Sequence, residues 1–114
     1  MKSLNKSLAL FPLQKDLIFL KGIIYQNLGQ YQNSNNFFNT VLKSYENSNE
    51  YFQILGRIAE NNELILKSEA NTLSEDQKIS LLGEAKKLYK ECISSNSSIK
   101  KWKLGYARVL KSLG

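Results

Sequence analysis

Few residues in this 114-residue chain could do chemistry. Cys92 is the single cysteine, so an internal disulfide and a multi-cysteine metal site are both excluded. Histidine is absent. That removes the most usual general base, the usual partner of a nucleophilic Ser or Cys, and the commonest transition-metal ligand. Catalysis without histidine needs clustered carboxylates or an activated lysine. Glu60, Glu63 and Glu69 sit at helical spacing, but they read as the solvated face of one long helix. Ser94-Ser95 and Ser97-Ser98 read as a loop. Cys92 stands beside Ile93 at a packing position, which predicts a buried, inert thiol. The sequence therefore points to no catalytic residue, no cofactor and no metal site.

Charge is the next chemical resource. The net charge is +6, unevenly spread: residues 1–99 hold 11 basic and 10 acidic side chains. Residues 100–114 hold Lys100, Lys101, Lys103, Arg108 and Lys111 with no acid. Lysine outnumbers arginine 14 to 2, unlike the Arg-rich stripe that a nucleic-acid-binding domain more often carries. The C-terminal cluster is thus the part of the basic balance with possible functional meaning.

The elements that would position these residues are helices. Apolar residues recur at helical spacing nearly throughout. Segment 15–28 carries Ile18, Phe19, Gly22, Tyr25 and Leu28, and closes at Gly29, a C-cap glycine. Segment 31–45 carries Ser34, Phe37, Phe38, Val41, Leu42 and Tyr45. Segment 49–69 follows Asn47-Ser48, good N-cap types, and carries Phe52, Leu55, Gly56 and Ala59. Ser74 to Gln77 has the spacing of a capping box and launches a helix over 75–94. A last helix over 98–113 carries Trp102, Tyr106, Val109, Leu110 and Leu113 on one face. At the front, Leu4, Leu8 and Leu10 suggest a short helix ended by Phe11-Pro12. The expectation is all-α, about six helices and no strand. No apolar run reaches the ~18 residues of a membrane span. The front of the chain lacks a small-residue cleavage site, so it does not read as a secretory signal. The expected location is cytoplasmic.

Gly22-x-x-Tyr25-x-x-Leu28-Gly29-x-Tyr31-x-x-Ser34-x-x-x-Phe38-x-x-Val41-Leu42 resembles the helix–turn–helix signature of tetratricopeptide repeats. Gly22 and Ser34 are small where two antiparallel helices approach, Tyr25 and Phe38 fill the wedge, and Gly29 makes the turn. One 34-residue step from Gly22 lands on Gly56, and one step back from Glu46, the usual proline position, lands on Pro12. In the second repeat the small partner of Gly56 is expected at Ala85, followed by Tyr89, Cys92 and Ile93. That spacing implies two lengthened helices around the 70–75 loop. The third repeat would put Ala107 at the small position. The resemblance implies a right-handed α-solenoid forming a single domain over 1–114. Residues 1–12 would be a half-repeat or cap, 15–48 the first repeat, 49–97 an expanded second, and 98–114 a half-repeat or cap.

The resemblance also implies a function. Such repeats bind proteins in a concave groove lined by the first helix of each repeat. Here that wall would be Phe19, Ile23, Gln26 and Asn27, then Gln53, Arg57 and Glu60, then Lys101, Leu104, Arg108 and Lys111. The expectation is a non-catalytic protein–protein interaction module or scaffold. Its ligand would be a protein or peptide, acidic and with an apolar anchor, met by a basic wall on the last helix. Phe19 and Ile23 read either as core or as an exposed apolar patch. The alternatives are a homo-oligomerisation module and, less favoured, binding of nucleic acid or another anionic partner through the basic C-terminal helix. A membrane partner is not expected.

Overall fold

The computed structural model describes residues 12–113. Their order is α1 (Pro12–Asn27), α2 (Tyr31–Leu42) with a 3-10 turn at Lys43–Tyr45, α3 (Glu50–Ser68), α4 (Glu75–Ser95) and α5 (Lys100–Leu113). Among the described residues the chain is all-helical, without a strand. Five of the six expected helices are present. The sixth, built on Leu4, Leu8 and Leu10, lies outside the described residues. Pro12 is itself helical and belongs to α1, a placement open to proline in a first turn, where the missing N–H costs nothing. The chain divides into two compact units, Met1–Tyr51 and Phe52–Gly114.

In the first unit, α1 and α2 form a hairpin. The turn is made by Gly29 at φ +83°, a left-handed conformation that disfavours other residues. Its N–H bonds Gln26 O at 3.1 Å, and Gln30 N–H bonds Tyr25 O at 2.9 Å. This is the Schellman pattern, which satisfies carbonyls left open at a helix end. The helices meet at Gly22. There the buried Ser34 hydroxyl donates to the Gly22 carbonyl at 2.6 Å, and a Cβ added to Gly22 would lie 2.5 Å from Phe38 Cε1. Phe38 and Val41 are fully buried, while Tyr25 stacks on Phe37 with ring centroids 5.2 Å apart.

The second unit contains three helices. Ser74 caps α4 through a complete capping box, its Oγ accepting from Gln77 N and its N–H donating to Gln77 Oε1. By contrast, the Ser48 hydroxyl ahead of α3 turns back to donate to the Tyr45 carbonyl. The helices of the lengthened region have 19 and 21 residues, against 16 and 12 in the first hairpin. Contacts of Phe52 with Cys92 and of Asn62 with Leu81 and Glu84 set α4 antiparallel to α3. Helix α5 returns alongside α3 in the same direction, with Trp102 against Gly56 and Arg108 on Glu63. Two close approaches differ from expectation. A Cβ on Gly56 would run into the Trp102 indole, so its snug neighbour is in α5, although Ala85 is fully buried. In α5 the small notch is Gly105, where a Cβ would overlap the Tyr89 ring; Ala107 is exposed. A ring needs bare backbone to lie this close, which glycine alone offers.

Candidate functional site on α3 and α5

Ile54, Leu55, Ile58, Ala59 and Ile65 of α3 are all buried, so the polar edge of that helix is held in a fixed register. Along this edge acids meet the bases of α5. Lys101 Nζ lies 3.0 Å from Glu60 Oε2. Arg108 grips Glu63 with two nitrogens, Nε to Oε1 at 2.9 Å and Nη2 to Oε2 at 3.2 Å. The Tyr89 hydroxyl, arriving from α4, donates to the same Glu63 carboxylate. Three helices therefore converge on Glu63. Two-pronged Arg–carboxylate pairing fixes direction as well as distance, so this joint orients α5.

The electrostatics follow from the geometry. Burial, then the bond to Glu63, raises the Tyr89 hydroxyl well above the ordinary phenol range. The bond to Glu63 likewise strengthens the hold of Arg108 on its proton. These are the signs of a structural network, because every shift favours the form already present at neutral pH. Cys92 behaves similarly: its thiol is fully buried and donates to the Phe52 carbonyl at 3.1 Å. Burial pushes its pKa from 9.0 up to about 12. A thiolate is the nucleophilic form, so this cysteine is inert near neutrality. Among the described residues, no group of three His, Cys, Asp or Glu is placed to hold a metal ion. No described helix is long and apolar enough to cross a membrane.

The structure revises the reading of the charged residues. Glu60 and Glu63 do not form a solvated face: their side chains keep 25% and 18% exposure and are ion-paired, whereas Glu69 is exposed. The basic wall is accordingly half-neutralised, since Lys101 and Arg108 already hold acids of α3. Lys100, Lys103 and Lys111 remain on the exposed side of α5. Leu104, 60% exposed, lies among them. Gln53 is exposed and Arg57 half-buried on α3.

The remaining members of the expected groove wall are on α1 in the first unit. Phe19 is half-buried, with its ring centroid 5.7 Å from that of Phe38 and 6.0 Å from that of Tyr45. Ile23 is half-buried, Gln26 buried and Asn27 exposed. Tyr45 is itself tied down by donating to Asp16 Oδ1 at 2.6 Å, under the Lys15 ammonium. Burial, then that bond, raises its hydroxyl well above the ordinary range. Tyr106 is half-buried, while Leu110 and Leu113 are exposed at the edge of the α5 apolar stripe that Trp102 and Val109 bury. Ser94 and Ser95 lie within α4. Sequence reasoning missed the roles of Glu63 and Tyr89, whose only signal was the match between an acidic helix and a basic one.

Comparison with protein families, curated proteins and solved structures finds no match to this chain.

Proposed function

We propose that this chain is a non-catalytic protein-interaction module whose docking face is built from α3 and α5. The observation that carries this reading is the pinned pair of parallel helices. The Glu60–Lys101 and Glu63–Arg108 contacts fix the two helices against each other, and Leu104 projects in the open beside Arg108 and Lys111. A preset surface of this kind loses little side-chain freedom on binding, which favours affinity. The tetratricopeptide-like pattern supports it further in the first hairpin, where Gly22 is pressed by the Phe38 ring and its carbonyl accepts from Ser34. The partner is a peptide or protein segment with one apolar anchor for Leu104 and acidic groups for Lys100, Lys103 and Lys111. Because Lys101 and Arg108 are already paired, such a partner meets mixed charge, and its electrostatics act chiefly on association rate and specificity. A single cysteine kept as a buried thiol suits the cytoplasm, where disulfides are rare.

Peptide display against the full chain tests this. The expected result is a set of ligands sharing an apolar residue flanked by acids. Their binding should fall at least tenfold with Leu104→Asp or Lys111→Glu and stay unchanged with Lys67→Glu. Ligands indifferent to both α5 variants would contradict the reading.

A further inference from the structure

Helix α1 is apolar on two opposite sides, and α2 accounts for only one of them. Gly22, buried, faces α2. Leu17, Leu20 and Ile24 are 49%, 49% and 46% exposed. At 100° per residue these three fall within about a 60° arc, roughly opposite Gly22. Their alternating spacing of three and four residues is that of a coiled-coil seam, with Leu17 and Ile24 at a and Leu20 at d. Such a seam is self-complementary, so a copy of itself on a second chain fits it.

The positions beside the seam select the same occupant. In this register Asp16 and Ile23 take g, while Lys21 and Leu28 take e. When two copies of α1 run parallel, each g residue meets the e residue five positions further along the other copy. Asp16 then faces the partner's Lys21, and Ile23 faces the partner's Leu28. The first pair is of opposite charge and the second is apolar. The second also gives a neighbour to Leu28, which is 64% exposed, the most of any large apolar side chain among the described residues. An antiparallel pair centred on the stripe would instead bring the two Lys21 ammonium groups together. Asp16 and Lys21 are both exposed. Asp16 accepts from Tyr45 through Oδ1, and a carboxylate has acceptor sites for a second donor. Lys21 Nζ lies 6.0 Å from the Phe37 ring centroid, at the outer limit of a cation–π contact.

We propose that two copies of this chain pair in parallel through the Leu17–Leu20–Ile24 face of α1, aligned by Asp16 on the partner's Lys21. Two heptads are short for a pair of free helices, but α1 is already held in a hairpin with α2, so pairing does not have to order it. The contact has far fewer residues than the roughly 20–30 a side of a stable interface. The dimer is therefore weak and reversible. The inference is independent of the α3–α5 reading.

Sedimentation equilibrium of the full chain from about 10 µM to about 1 mM tests it. The average mass should rise from that of one chain toward that of two. Leu20→Asp, at an exposed position, should keep the helical circular dichroism and melting temperature of the wild type and weaken the dimer at least tenfold. Lys21→Glu sets like charges at both flanking pairs and should weaken it several-fold at low salt, as should Asp16→Lys. Mixing these two variants restores opposite charges at both pairs, so the mixture should associate more tightly than either variant alone. A chain that stays monomeric at about 1 mM would overturn the proposal, whether residues 1–11 or a different protein covers the stripe. So would a dimer indifferent to Leu20→Asp, one strengthened by Lys21→Glu alone, or a charge-swapped mixture no tighter than its parts.

Discussion

Arg108 of α5 and Glu63 of α3, 45 residues apart in sequence, are joined by two hydrogen bonds, and Tyr89 of α4 donates to the same carboxylate. The three side chains are not equivalent. Arg108 is 59% exposed, whereas the Glu63 side chain is 18% exposed and Tyr89 is buried. Glu63→Ala leaves the Tyr89 hydroxyl without its acceptor and should cost about 2 kcal/mol. Arg108→Ala should cost at most about 1 kcal/mol, since an exposed partner is screened by solvent. The coupling between them in a double-mutant cycle should be about 0.5–1 kcal/mol at low salt and shrink in ~1 M salt. Urea titration of the four proteins measures it. A coupling that ignores salt would show that packing, rather than charge, links the pair.

The glycines give a second prediction with opposite signs. Gly22→Ala puts a methyl 2.5 Å from Phe38 Cε1, and Gly105→Ala drives one into the Tyr89 ring. Each should destabilise by about 1–3 kcal/mol through overpacking. Gly83 lies inside α4 with open space where its Cβ would be. Gly83→Ala should therefore stabilise by about 0.5–1 kcal/mol, the ordinary gain in helix propensity. Gly29→Ala has room as well, but at φ +83° it should lose about 1–2 kcal/mol. Thermal or urea unfolding of the four variants checks the signs together.

How far these features are legible in the sequence depends on what encodes them. Helix positions follow the 3.6-residue apolar period, and the Gly29 turn and the Ser74 capping box follow local hydrogen-bond chemistry, so both can be read directly. The Gly22–Ser34 approach is also legible, because short antiparallel helices force small residues to face each other. The packing of α5 is not. Whether Gly105 or Ala107 forms the notch depends on where Tyr89 lands, which is set by the lengths of α3 and α4 and by the loop between them. The pairing of Lys101 and Arg108 with Glu60 and Glu63 is long-range and leaves no period. A row of cations on one helix looks the same whether it faces solvent, a ligand or a neighbouring acid. The exposed Leu17, Leu20 and Ile24 of α1 are hard to read for a related reason, because a helix apolar on two sides gives only a weak periodic signal.

Alkaline pH should weaken the fold in a defined window. The Cys92 thiol ionises near 9.0 when exposed and near 12 in the folded chain. Below about pH 9 it is neutral in both states, and its contribution to stability is intact. Above that the unfolded chain loses the proton first and binds fewer protons, so stability falls as pH rises toward 12, by at most about 1.4 kcal/mol per pH unit. Tyr45 and Tyr89 add the same downward slope above their ordinary value of 10.0, since both are raised in the fold. The stability margin of the wild-type chain over Cys92→Ala should therefore shrink between pH 9 and 11 in urea titrations. Tyr89→Phe should show a shallower alkaline decline than the wild type. A pH-independent margin for Cys92→Ala would contradict the buried neutral thiol.

The docking face on α3 and α5 is the central claim, and an NMR titration of the full chain with a display-selected peptide tests it most directly. Amide shifts should concentrate on Gln53, Arg57, Leu104, Arg108 and Lys111, with the peptide's apolar residue giving NOEs to Leu104. Shifts confined to the opposite side of α4, around Lys86 and Lys90, or no saturable binding by any selected peptide, would contradict it.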